Sequence, residues 1–265
     1  MKTTIYYFSA TGNSLQLARR IAANLENCEL LPMARALRTE MIEPSSERIG
    51  LIFPVFAWGM PRMVAEFIGK LSLKGHPYIF AAATCVAIPG NTLRDLQKDL
   101  RQRGVDLQAG FVVKAGRSSL MKLNSLDKII IRLDRKRKTL RNSDERISEI
   151  VSTVKNLQPH RPETSSPGAN LFGSMFHDLA LKSFKTIDSA FLVNDSCEAC
   201  GHCARICPRS NIIMENNHPV FQNNCELCHA CIQWCPNFAI RHPNFDGALK
   251  QYRNPGVKMT DLITT

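Results

Sequence analysis

Residues 3–14 read TTIYYFSATGNS. The first half is a β-branched and aromatic run of the kind that fills a strand. The second half is a loop of small polar residues around one glycine, and it opens into NSLQLARRIAANL, whose apolar positions recur at helical spacing. A strand that turns so abruptly into a helix presents several backbone N–H groups at the helix N-terminus. Ser9, Thr11 and Ser14 add hydroxyls there, with Gly12 and Asn13 between them. Such a loop suits one terminal phosphate. No lysine follows Gly12, which excludes a P-loop, and no G-x-G-x-x-G is present for a dinucleotide pyrophosphate. Read alone, a loop with one glycine is equally an ordinary capped helix.

Outward from this stretch, strand and helix signals alternate, which predicts a parallel sheet covered on both faces. CELLPM is a weak strand, while RIGLIFP (48–54) and YIFAAATC (78–85) are unbroken in apolar character, as central parallel strands are. RMVAEFIGKL and NTLRDLQKDLRQR read as helices, and LQAGFVVKA (107–115) as a fifth strand. Helices are expected near 125–138 and 144–157, the later one capped by Ser143. QPHRPETSSPGAN (158–170) has a linker's composition, and LFGSMFHDLALKSF reads as a connecting helix. Residues after Ala239 carry little signal.

Two further loops bear on the first. With the strands ordered 2-1-3-4-5, a ligand sits beyond their carboxyl ends, at the switch point between the first and third. The third strand runs into PVFAWGMP (54–61), where Phe56 and Trp58 offer rings for stacking and Pro54, Val55 and Gly59 shape the backbone. Phe56 serves a core equally well; Trp58, between Ala57 and Gly59, is harder to place in one. The fourth strand runs into TCVAIPGN (84–91), with Thr84, Cys85, Gly90 and Asn91 placed to meet the polar edge of a flat ring.

On these residues, roughly 1–158 resemble the flavodoxin family. The resemblance implies a five-stranded doubly wound sheet of order 2-1-3-4-5 and a noncovalently bound FMN. Its phosphate would lie on Ser9, Thr11, Gly12, Asn13 and Ser14, and its ring between the two later loops. It also implies a role for Gly59, whose peptide would turn toward the flavin at little cost. Flavodoxins are typically acidic, whereas this segment is strongly basic.

CEACGHCARICP (197–208) and CELCHACIQWCP (225–236) repeat one spacing, C-x2-C-x2-C-x3-C-P. Three thiolates two residues apart can wrap one corner of an iron–sulfur cube, and the fourth points away from it. Structural zinc prefers cysteine pairs across a longer spacer. Residues 190–242 therefore resemble a bacterial two-cluster ferredoxin of small α+β fold. That pattern implies two [4Fe–4S] clusters, one on Cys197, Cys200, Cys203 and Cys235 and the other on Cys225, Cys228, Cys231 and Cys207. Ile212 and Ile240 follow Pro208 and Pro236 at one offset and are expected to shield the cubes, while His202 and His229 are bystanders. Cys28 and Cys85 stand apart and read as small apolar residues.

A chain of 265 residues accommodates both units. The whole is similar to a family of flavodoxin–ferredoxin fusion proteins, which implies an FMN domain over 1–158, a linker and helix over 159–189, the ferredoxin unit over 190–242 and a tail over 243–265. With 44% hydrophobic and 22% charged residues, the composition is that of a globular protein. The start lacks a signal-peptide pattern and no apolar run is long enough to span a bilayer, so a cytoplasmic protein without membrane insertion is expected. The net charge of +11 lies wholly before Phe191, densest in RLDRKRKTLR (132–141). That run reads as a solvated helix face or as a docking surface for an acidic redox partner. Without interleaved aromatics it is a poor nucleic-acid site. The parts predict an electron-transfer protein relaying between FMN, the clusters and an external redox protein or enzyme. The alternative is an FMN-dependent reductase of a small organic substrate, recharged through the clusters, although residues 1–158 offer no obvious catalytic acid or base.

Overall fold

The first strand, β1 (Thr3–Tyr7), is buried along its whole length, and its neighbours on either side are β2 (Cys28–Pro32) and β3 (Arg48–Pro54). In this computed structural model the described residues are 1–86, 88–116, 119, 120, 122, 144–167, 170, 177, 187–245 and 250–263. β4 (Tyr78–Cys85) and β5 (Ala109–Lys114) complete a sheet of order β2-β1-β3-β4-β5, every pair parallel. In register, Thr3 faces Cys28 and Arg48, and Arg48 faces Tyr78. The strand order reverses between β1 and β3, which makes the carboxyl ends of those strands the topological switch point of the sheet.

The apolar runs of β3 and β4 are continuous because both faces of the sheet are covered. Ile52 and Phe80 point to one face, where α1 (Asn13–Ala22) brings Leu15, Ala18 and Ile21 and α5 (Asp144–Lys155) brings Ile147, Ile150 and Val154. Leu51, Phe53 and Ile79 point to the other, against Met63, Val64 and Phe67 of α3 (Arg62–Lys70) and Leu93, Leu96 and Leu100 of α4 (Thr92–Gln102). A short helix, α2 (Met33–Ala36), follows β2 directly and has no counterpart in the sequence reading. The expected helix over 125–138, its basic run, Ser143 and most of the connecting helix over 171–184 fall outside the described residues.

The segment with a linker's composition behaves otherwise at its start. His160 bridges to Ala109 in parallel, its N–H donating to Gln108 and its carbonyl accepting from Gly110. Glu163 then takes the Val112 N–H on its carboxylate at 2.7 Å, held by Arg146 of α5 at 2.6 Å. An edge strand with exposed N–H groups invites pairing with foreign chains. Here the edge of β5 is closed by the chain itself, which composition alone does not announce.

Two small antiparallel sheets form the C-terminal unit: β6 (Leu192–Val193) with β9 (Ile240–Arg241), and β7 (Ile212–Glu215) with β8 (His218–Phe221). The β7–β8 hairpin turns on Asn216 and Asn217, both left-handed, the residue type that accepts that conformation most readily after glycine. Among the described residues no helix is long and apolar enough to cross a membrane.

At Gly50, in the middle of β3, a Cβ would lie 2.6 Å from the ring of Phe80 and 2.9 Å from Ile5. Phe80 is fully buried, so the ring has nowhere to retreat. Gly50→Ala is expected to cost about 1–3 kcal/mol, read as a lower midpoint in denaturant unfolding.

Candidate functional site

The three loops at the carboxyl ends of β1, β3 and β4 converge. In the first, Gly12 caps α1 from a left-handed conformation (φ 96°), so the first-turn amides of the helix are left without intrahelical acceptors. The Ser9 hydroxyl is buried and has no hydrogen-bond partner among the described residues. Ser14 and Thr84 share a hydroxyl–hydroxyl bond of 2.8 Å, joining the first loop to the third. Thr11 is buried, and the side chain of Asn13 donates to the Gly116 carbonyl at 3.2 Å.

In the second loop the Val55 N–H donates to Thr84, which carries Pro54 and Val55 onward beside β4. Phe56 and Gly59 exchange both backbone hydrogen bonds at 3.0 Å across a two-residue turn. The residues with positive φ are Ala57 (44°) and Trp58 (63°), each held where an L-residue is strained by about 1–2 kcal/mol. Gly59, expected to supply backbone freedom, instead supplies room: a Cβ there would lie 2.4 Å from the ring of His177, whose Nδ1 lies 3.1 Å from the Ala57 carbonyl. Phe56 meets Phe8 edge-to-face at 5.7 Å and packs on the core, whereas Trp58 is half-buried at the turn.

The third loop closes on the second. Gly90 has φ 60°, and a Cβ there would overlap the Trp58 carbonyl at 1.9 Å. Ser165 fixes this loop from the edge segment, its hydroxyl accepting from the Gly90 N–H at 3.1 Å. Cys85 ends β4 buried, its carbonyl accepting from Ala115, and Asn91 caps α4 with its carbonyl accepting from Arg94 and Asp95. Cys28 is half-buried at the start of β2.

In the C-terminal unit the two cysteine motifs fold alike. Left-handed residues recur at one offset: Ala199 and Leu227, Gly201 and His229, Ser210 and Phe238. So do amide–sulfur bonds: Asn211 N–H donates to Cys207 Sγ and Ala239 N–H to Cys235 Sγ, both at 3.3 Å. Leu227 N–H donates to Cys225 Sγ at 3.2 Å. Burial raises the thiol pKa of Cys203, Cys225, Cys228 and Cys231, and neighbouring thiols add to it: Cys200 and Cys197 at Cys203, Cys207 at Cys225, Cys207 and Cys225 at Cys228, and Cys228, Cys207, Cys225 and Cys203 at Cys231. Burial is the larger cause in every case: it pushes Cys203 up to about 11, Cys225 up to about 12, and Cys228 and Cys231 well above the ordinary thiol value. Among the described residues, no three His, Cys, Asp or Glu side chains could hold a metal ion. Ile212 and Ile240 lie in one apolar cluster with Cys203, Cys207, Cys225 and Cys231. His229 is buried, its Nδ1 accepting from Leu120 N–H at 3.1 Å, and His202 is half-buried at the start of a short helix.

The cysteine unit is docked on the loops. Trp234, next to Cys235, donates its indole N–H to the Ala10 carbonyl at 2.9 Å. Glu226, next to Cys225, accepts the Met63 N–H at the start of α3 at 3.1 Å. Arg209, two residues after Cys207, forks onto Glu66 at 2.5 and 3.0 Å. Cys228 packs against the apolar clusters of both sheet faces.

Residues 250–263, without signal in the sequence, strap the units together. Tyr252 O–H and Asn254 side-chain N–H both donate to Asn13 Oδ1, at 2.7 and 3.0 Å, while Asn254 N–H donates to Thr11. Gln251 and Arg253 donate to carbonyls of the second cysteine motif, and Arg19 pairs with Asp261 at 3.1 Å. The one sequence signal for this docking was Trp234, a large amphipathic ring at the repeat position that Ile206 holds in the first motif.

Fold and loops define an α/β domain of the doubly wound flavodoxin type, joined to a cysteine-rich unit. Residues 4–144 match the family model described as a flavodoxin domain, and the chain belongs to that family. The match ends before the cysteine motifs. Among solved structures, the chain is similar to a putative flavoprotein from Bacteroides uniformis (17% identity over 51% of this chain and 98% of the other, TM-score 0.35). It is also similar to two-electron reduced Megasphaera elsdenii flavodoxin (18%, 42% and 84%, TM-score 0.34). A third is the FMN-dependent NADH-azoreductase of Bacillus anthracis in complex with FMN (8%, 57% and 100%, TM-score 0.35). No curated protein matches the chain.

At Gly12 a Cβ would meet Val257 at 2.8 Å and Asn254 at 2.9 Å. With the left-handed penalty, Gly12→Ala is expected to weaken the strap by about 1–2 kcal/mol, roughly a five- to thirtyfold rise in its open population. Faster tryptic cleavage at Arg253 and Lys258 than in the wild type is the readout.

Proposed function

We propose that this chain is a cytoplasmic electron-transfer protein that relays electrons between FMN, two [4Fe–4S] clusters and an external redox partner. The carrying observation is the docking of the cysteine unit on the loops of the flavodoxin domain, through Trp234 on Ala10 and Glu226 on Met63. Two redox modules need such contact if charge is to pass between them within one molecule.

The residues of the first loop fit a phosphate. The Ser9 hydroxyl is a donor without an acceptor among the described residues, and beside the N-terminus of α1 a terminal phosphate would supply one. Thr11, Gly12, Asn13 and Ser14 complete that cradle. Trp58 and the backbone of Gly59, Thr84, Cys85, Gly90 and Asn91 would hold the ring, while Phe56 braces the loop from the core. The flavin supplies one- or two-electron chemistry and each cluster one-electron chemistry.

The spacing of the eight cysteines suits two cubes, whose four thiolates bind separate irons and so stand further apart than the ligands of a single metal ion. The amide–sulfur bonds and the duplicated left-handed residues suit a pair of cluster-wrapping loops. The Cys207, Cys225, Cys228 and Cys231 set is the inner one, because Cys228 packs on both apolar clusters of the flavodoxin domain. The Cys197, Cys200, Cys203 and Cys235 set is the outer one, with Cys200 exposed. Ile212 and Ile240 exclude water from both. An acidic surface on the partner would suit the basic N-terminal domain.

Anaerobic preparation is expected to yield about eight irons and one FMN per chain. Cys200→Ser should remove or convert one cluster and leave the FMN stoichiometry unchanged, because that thiol is solvent-facing. Loss of flavin together with the cluster, or a chain that binds zinc instead of iron, contradicts the proposal.

A further inference from the structure

Arg62 is the first residue of α3 and is 9% exposed. Its Nη2 donates to the Cys225 carbonyl at 2.7 Å, but its Nε and Nη1 are buried and have no hydrogen-bond partner among the described residues. Its acidic neighbour, Glu226 Oε2, stands at 3.7 Å and is shared with Arg209 Nε at 3.8 Å. One buried carboxylate thus answers two guanidinium groups, and its other oxygen is taken by the Met63 N–H. A buried guanidinium with unmatched donors is costly unless a further anion lies close. The first turn of α3 adds positive dipole at the same place.

We infer that Arg62 is the counter-charge of the inner cluster and sets its potential from across the domain boundary. The inference rests on the cluster assignment proposed above. A cube held by four thiolates is anionic and gains one further negative charge when it takes an electron from a reduced redox protein, with no bond made or broken. Beside the buried Cys231 and the apolar packing of Cys228, a fixed cation stabilises the reduced form and raises the potential. Arg62 is nearly buried, so solvent screens its charge little. The outer motif has a counterpart in Arg205, which donates to the Cys200 carbonyl at 3.3 Å, but Arg205 is exposed and its charge is screened. The asymmetry biases electrons from the outer cube toward the inner one and so toward the flavodoxin domain.

The test is a redox titration of the full chain, followed by electron paramagnetic resonance that resolves the two clusters. Arg62→Gln is expected to lower one midpoint by at least a tenfold change in its reduction equilibrium, about 59 mV for a one-electron couple. The other midpoint stays in place, and Arg62→Lys, which keeps the charge, recovers most of the shift. An unmoved midpoint in Arg62→Gln, equal shifts in Gln and Lys, or a joint shift of both clusters overturns the inference. If Arg62→Gln fails to fold, the wild type decides: the buried couple should hold its midpoint from low to high salt while the exposed one drifts, and an inner midpoint that follows salt overturns the inference. A flavin-loaded chain without iron defeats the cluster assignment itself.

Discussion

The indole of Trp234 reaches from the second cysteine motif to the carbonyl of Ala10, in the loop that begins α1. That contact puts the C-terminal unit on the carboxyl end of the sheet, and its neighbours follow from it. Once the indole is seated, Glu226 meets the free amide at the start of α3 and Arg209 meets Glu66. A buried N–H donor without an acceptor is costly, so the docked position is specified by satisfaction of polar groups as much as by apolar area. The same arrangement packs Cys228 against both apolar clusters of the flavodoxin domain and leaves Cys200 at the surface.

Two other segments extend the fold beyond its five strands. The chain after α5 runs back along β5, and Glu163 binds Val112 there with Arg146 as its brace. The C-terminal strap crosses the first loop, seats Val257 and Leu262 in the core beside α1, and fastens the second cysteine motif through Gln251 and Arg253. Both use polar bonds at sites where the parent fold leaves backbone groups open. The strap also brings Tyr252 and Asn254 onto Asn13, so the first loop is shaped by residues from the far end of the chain.

The strands, their order in the chain and the paired cysteine motifs were legible because each depends on local pattern: continuous apolar runs for buried parallel strands, and one thiol spacing repeated along the chain. α2 was not legible, being four residues whose helicity depends on packing against α3. The conformation of the Phe56–Gly59 turn was not legible in the sequence. A glycine suggested freedom of the backbone, but the left-handed residues are Ala57 and Trp58, held there by reciprocal backbone bonds and by the ring of His177.

By itself the sequence determined that a doubly wound sheet precedes a duplicated cysteine unit, since periodicity and spacing are properties of neighbours along the chain. Only the tertiary structure decided that the two units touch, that Cys228 packs on the sheet domain while Cys200 is exposed, and that Arg62 lies against Cys225. Those facts depend on residues far apart in the chain whose hydrogen bonds and charges find partners only after both units have folded. No local pattern encodes them, because each partner is an ordinary surface residue until the other arrives.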